Sequence, residues 1–142
     1  MRVAHCLQHV GFEGPGFFRP CLEQHGYEVC PQLVPEQGLP TELGELLLIM
    51  GGPMSVNDPE PWIEEELVFI QAALSKNIPV IGVCFGAQMI TRALGTSVSP
   101  NADFEIGMVP ITLTEEGKQE PMFETMSRSF DVFQWHGEAF EL

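Results

Sequence analysis

Basic residues are scarce in this 142-residue chain: six Lys and Arg stand against twenty Asp and Glu, a formal net charge of −14. Such a surface repels phosphate backbones and anionic membranes, which excludes nucleic-acid binding and peripheral membrane attachment as functions. Long apolar runs are also missing. No stretch approaches the length needed to cross a bilayer, and "MRVAHCLQHV" lacks the h-region of a secretory signal, so a cytoplasmic protein is expected. The four cysteines, at positions 6, 21, 30 and 84, form no C-x-x-C pair. They share no metal-ligand spacing with His5, His9, His25 or His136, so neither a structural zinc site nor a disulfide framework is expected, and no metal or cofactor is implied. There is no internal repeat or low-complexity tract.

What is present alternates. "RVAHCLQHV" reads as a first strand, "GFEGPG" as a turn, "FFRPCLEQHGYEV" as a short helix closed by Gly26, and "YEVCPQLV" as a second strand. "PEQGLPTELG" reads as loop and "ELLLIMGG" as a third strand. In "DPEPWIEEELVFIQAALSKNIP", Ile63, Leu67, Ile70 and Leu74 recur at helical spacing, with Pro61 near the start. Glu64, Glu65 and Glu66 fall in the first turns of that helix, where the dipole favours acids, and read as a solvated face. His5 and His9, near the end of the first strand, read as satisfied structural histidines rather than ligands. From residue 97 the texture changes to short strands and turns. Strands alternating with helices predict right-handed βαβ units, hence an α/β protein with a doubly wound, mostly parallel sheet, as one domain spanning residues 1–142. Ligands of such sheets bind beyond the carboxyl ends of the strands. Both "IMGGPMS" and "VCFGAQ" belong there.

The second of these carries the chemistry. In "PVIGVCFGAQMITRALG", a β-branched run leads into a cysteine flanked at two residues on each side by Gly82 and Gly86, and then into an amphipathic helix ending at Gly95. Glycines there permit a sharp strand-to-helix turn that pushes the thiol outward. The first helical turn offers N–H donors and a positive dipole end, which predicts a thiol shifted toward thiolate and donors for an oxyanion. This is the nucleophile-elbow arrangement with sulfur in place of oxygen. A buried, inert cysteine is the plain alternative.

Taken in order, "LLLIMGGPMSV", "PVIGVCFGAQMITRALG", "EIGMVPITLT" and "FQWHGEAFEL" resemble the triad-type class I glutamine amidotransferases, nearest to stand-alone members similar to the glutaminase domain of GMP synthase. The resemblance covers nearly the whole chain and implies a flavodoxin-like sheet with helices on both faces. It assigns Cys84 as the nucleophile attacking the glutamine side-chain amide, the N–H groups of Gly52 and Phe85 as the oxyanion hole, and Gln88 as a substrate-holding residue. It also implies a synthase partner that receives the ammonia.

One departure stands out. The family's base and its orienting glutamate lie in an H-P-E stretch, and no H-P-E occurs in these residues. His136 and Glu138 in "WHGEAF" have the same i, i+2 spacing and, from the bare sequence, would be nominated as base and orienter. The resemblance instead matches "WHGE" to a separate H-G-D/E turn beside the glutamine pocket, where Trp135, Gly137 and Glu138 would shape binding of the substrate's α-groups. It therefore implies a C-terminally shortened domain ending before the triad's last two members, with an exposed sheet edge that favours a homodimer. Three functions stay open at this point: a glutaminase supplying ammonia, a γ-glutamyl peptidase or amide hydrolase, and a non-catalytic glutamine-binding module.

Overall fold

The structure, a computed structural model, describes residues 2–141. Strand β1 (Arg2–Gln8) is followed by helix α1 (Phe18–Gln24), β2 (Tyr27–Leu33), the one-turn α2 (Val34–Gln37), β3 (Leu46–Ile49), α3 (Pro61–Ser75), β4 (Val80–Gly82) and α4 (Phe85–Ala93). Two long strands, β5 (Ser99–Thr112) and β6 (Ser129–Ala139), complete the order. The expected loop at "PEQG" contains α2 because Pro35 sits at the first helical positions, where its fixed φ suits a helix and its missing N–H costs nothing. The strands after residue 97 run to 14 and 11 residues rather than the short pieces expected.

Strands β1 to β4 form one sheet in the order β2-β1-β3-β4, every pairing parallel. This is the doubly wound arrangement read from the sequence, and its order reverses between β1 and β3, where such sheets place their ligands. Because strand side chains alternate between faces, the sheet builds two cores. Leu7, Leu47 and Ile49 pack on one face with Ile63, Leu67, Ile70 and Ala73 of α3 and with Phe85 and Met89 of α4. Ala4, Cys6, Leu46, Leu48 and Met50 face the other way with Val29, and Leu22 of α1 packs against them. All four residues of β3 are buried, which explains why "LLLI" reads as a continuous apolar run.

The chain divides into two compact units, Met1–Ser99 with Glu138–Leu142, and Pro100–Gly137. In the first, Phe140 packs on the larger core, so the last few residues return to the parallel sheet's unit. The second is built on the β5–β6 pair. Leu113 N–H donates to Arg128 O (2.9 Å), the Thr112 and Ser129 hydroxyls meet at 2.9 Å, and His136 Nε2 lies 3.0 Å from Glu105 Oε2. Those contacts share one register and make the strands antiparallel. A Cβ on Gly137 would come within 2.7 Å of the Phe104 ring, so the aromatic lies across the glycine on the facing strand.

Candidate active site

Strand β4 ends at Gly82 and α4 begins at Phe85, which leaves Cys84 as the residue that caps the helix. Its backbone has φ +50° and ψ −110°, a conformation L-residues rarely adopt and one that costs about 1–3 kcal/mol. The surroundings hold it there. Val83 N–H donates to Ile49 O and Gly86 N–H donates to Val83 O, both at 2.9 Å. The flanking glycines are a packing requirement: a Cβ on Gly82 would meet Ala87 N and Gly86 O at 2.6 Å, and one on Gly86 would overlap the Ile49 carbonyl. Helix α4 can therefore approach β3 and β4 only with hydrogen at both positions.

The turn after β3 comes alongside. A Cβ on Gly51 would stand 3.6 Å from Cys84 Cβ, and it would overlap a carboxylate oxygen of Glu13 from the "GFEGPG" turn after β1. Gly52 follows, its Cα hydrogens facing the Met54 sulfur and His9 Cβ. Gln88, one turn along α4, is buried and donates from Nε2 to Glu138 O at 3.1 Å. Ser55 Oγ donates to Glu138 Oε1 at 2.9 Å. Thus Cys84, Phe85, Gln88, Gly52 and Glu138 belong to one unit, with the ends of β3 and β4 and the start of α4 as their frame.

A family model described as glutamine amidotransferase class-I matches residues 21–142. The chain belongs to this family. It is 33% identical over 146 residues to a glutamine amidotransferase-like protein of Salmonella typhimurium, YfeJ, covering 97% of this chain and 61% of the relative. A GMP synthase (glutamine-hydrolyzing) of Chlorobium chlorochromatii is 30% identical over 111 residues, 78% of this chain and 20% of that protein. Among solved structures, a glutamine amidotransferase of Methylobacillus flagellatus superposes with a TM-score of 0.88 at 30% identity, covering all of this chain and 58% of the other. One from Thermotoga maritima gives 0.88 at 27%, covering 99% and 63%. The chain thus spans about three fifths of the length of these full-chain relatives.

The Cys84 thiol departs from the expectation of a thiolate. Cys84 is exposed by area, yet desolvation by its close-set neighbours is the largest influence and pushes the thiol above its ordinary 9.0. The Phe85 N–H pulls it down and the nearby Glu13 carboxylate pushes it up again. One helix N-terminus is outweighed by burial and a like charge.

The remaining sequence-predicted residues lie in the second unit. Trp135 is 67% exposed and meets Phe133 edge to face, with ring centroids 6.3 Å apart. His136 Nε2 lies 3.0 Å from Glu105 Oε2 and 2.7 Å from Gln134 Oε1, so Glu105 is an acid partner that spacing alone did not suggest. Glu66 overturns the solvated-face reading of its triplet. It is fully buried and paired with His9, whereas Glu64 and Glu65 are exposed, with Glu64 2.5 Å from Arg92. Glu13, Ser55, His9 and Glu66 adjoin the site through the fold and carry no motif in the sequence that marks them. Among the described residues no cluster could hold a metal, and no helix is long and apolar enough to cross a membrane.

Proposed function

We propose that this amidotransferase is a glutaminase, in which Cys84 Sγ attacks the side-chain amide carbon of glutamine. The observation that carries this reading is the strained Cys84 at the β4–α4 turn, with the Phe85 N–H directed at its sulfur. Attack forms the C–S bond and places negative charge on the amide oxygen, within reach of donors from Phe85 and Gly52. Collapse breaks the C–N bond, the nitrogen leaves as ammonia carrying the thiol's proton, and a γ-glutamyl thioester remains. Water then cleaves the thioester to glutamate and restores the thiol.

Gln88 is proposed to hold the substrate glutamine and Glu138 its α-groups; for Trp135 and Gly137 a part in binding the α-groups rests on the resemblance alone. The ammonia is proposed to pass to a synthase partner, as the names of the GMP synthase relatives suggest for those proteins. We place the chemistry in the cytoplasm, where thiols stay reduced, and read residues 1–142 as one amidotransferase-like domain. His136 is not our proposed base, because the resemblance matches "WHGE" to a turn beside the glutamine pocket rather than to the triad.

The test is ammonia release from glutamine, alongside amine release from a γ-glutamyl dipeptide, by the wild-type protein, Cys84→Ala and His136→Ala. Glutamine-dependent release that Cys84→Ala abolishes and His136→Ala spares supports the proposal. Dipeptide cleavage without ammonia release identifies a γ-glutamyl hydrolase instead, and glutamine binding without turnover identifies a binding module.

A further inference from the structure

His9, just after β1, meets Glu66 of the second turn of α3 beside the proposed oxyanion turn. His9 is 3% exposed and Glu66 fully buried. The two Glu66 carboxylate oxygens lie 3.1 and 3.0 Å from His9 Nε2, and Gly51 O lies 3.2 Å from His9 Nδ1. Trp62 stacks on the imidazole at 5.5 Å and Phe85 meets it edge-on at 4.6 Å. Two aromatic walls and two polar contacts leave the ring one orientation.

The proton inventory then decides the roles. A carbonyl only accepts, and an ionised carboxylate only accepts. A neutral ring protonated on Nε2 would turn the Nδ1 lone pair against the Gly51 oxygen. Two arrangements satisfy every atom: an imidazolium beside a carboxylate, or an Nδ1-protonated imidazole accepting at Nε2 from a protonated Glu66. Nδ1–H donates to Gly51 O in both.

In a trans peptide the C=O and the following N–H point in opposite directions. A Gly-Gly peptide flips at small steric cost, because neither residue has a Cβ. Holding Gly51 O toward His9 therefore fixes the Gly52 N–H at the opposite edge of the same peptide plane, pointing away from the ring. A buried ion pair adds little net stability compared with apolar residues of the same volume, so geometry is what it contributes. We propose that His9 and Glu66 are a buried positioning pair that sets the direction of the Gly51–Gly52 peptide and thereby the Gly52 oxyanion donor. This rests on the glutaminase reading above for its catalytic consequence, though not for the pinning itself.

The experiment compares His9→Asn, whose amide N–H can replace Nδ1–H, with His9→Gln, whose longer amide reaches toward Glu66 and loses Gly51. Losing one oxyanion donor typically costs about 10²–10³ in kcat. His9→Gln is expected to lose on the order of 10²-fold in kcat with KM nearly unchanged, and His9→Asn to recover most of it. Alkylation of Cys84 by iodoacetamide, which develops no oxyanion, should stay within about twofold in both. Equal losses in the two variants, or parallel losses of turnover and alkylation, would overturn the proposal. If the wild-type protein releases no ammonia, the glutaminase reading falls while the pinning is still read by NMR. The Gly52 amide resonance should shift or broaden in His9→Gln and not in His9→Asn, and a resonance unmoved in both overturns the pinning.

Discussion

The parallel-sheet unit and the β5–β6 unit use the same apolar residue types to opposite ends. In the first, Leu7, Leu48, Ile49, Ile63, Ile70 and Phe85 are at most 1% exposed, between strands and helices. In the second, Phe104, Ile106, Met108, Phe133 and Trp135 share one face of the strand pair, and each is more than 60% exposed. The rigidity that can hold a strained cysteine comes from a sheet covered on both faces. A two-stranded ribbon cannot supply it, being marginal on its own. The contrast makes its sharpest claim at Cys84: Cys84→Ala should reduce glutamine-dependent ammonia release by at least about 10³-fold, with the thermal midpoint nearly unmoved. Residual turnover near wild type would transfer the chemistry away from the packed unit and break the contrast.

Stability should divide along the same line. Ile49→Ala removes a fully buried side chain from β3 and should cost about 2–5 kcal/mol in denaturant unfolding. Ile106→Ser, on the exposed face, should stay within about 0.5 kcal/mol. A cost at Ile106 comparable with that at Ile49 would mean that the exposed face is covered in solution, and sedimentation of the two variants would then show whether a second copy covers it.

The two units also differ in how far they could be read in advance. The alternation of strands and helices through residue 95 was legible because each element carries its own period. Leu46–Ile49 is apolar without interruption since β3 is covered on both sides, and α3 repeats at helical spacing because one side faces the core. The elbow was legible for a steric reason, with Gly82 and Gly86 each lying where a Cβ would strike backbone. Glu66 was misread because its place in the first turns of a helix predicts solvent, and only the tertiary fold brings His9 to it. Glu13 gave no signal at all: its nearness to Cys84 arises from three separate strand ends converging. The ribbon was read as short pieces because Pro100, Gly107 and Pro110 look like interruptions, yet all three lie within β5. An edge strand tolerates proline where its N–H is not needed.

A smaller effect is expected at Glu138, which lies near the end of β6 and belongs to the packed unit. Its carboxylate accepts from Ser55 and its carbonyl from Gln88, so the backbone link survives when only the side chain changes. Glu138→Gln should raise KM for glutamine about tenfold through the lost charge on the substrate's ammonium, with kcat within about threefold. A fall in kcat with KM unchanged would give Glu138 a role in the chemical step and revive it as the orienter of His136.

The smallest effect separates the thiols of the packed unit by their surroundings. Burial raises Cys84 above 9.0 and raises Cys6, in the core, to about 11. Alkylation of Cys84 by iodoacetamide should therefore climb about tenfold per pH unit between pH 7 and 8 and level off only above pH 9, because thiolate is the reacting form. Cys6 should lag it throughout. Glu13 adds negative charge beside Cys84, which disfavours thiolate, so Glu13→Gln should lower the thiol's pKa. Alkylation at pH 7 should then run about two- to fivefold faster than in wild type, and the two rates should converge at high pH once both thiols are fully ionised. A rate unchanged at pH 7 would mean that the Glu13 carboxylate is screened from the sulfur by solvent. A slower rate would mean that Glu13 aids ionisation by accepting the thiol's proton, and would make it a candidate base within the packed unit itself.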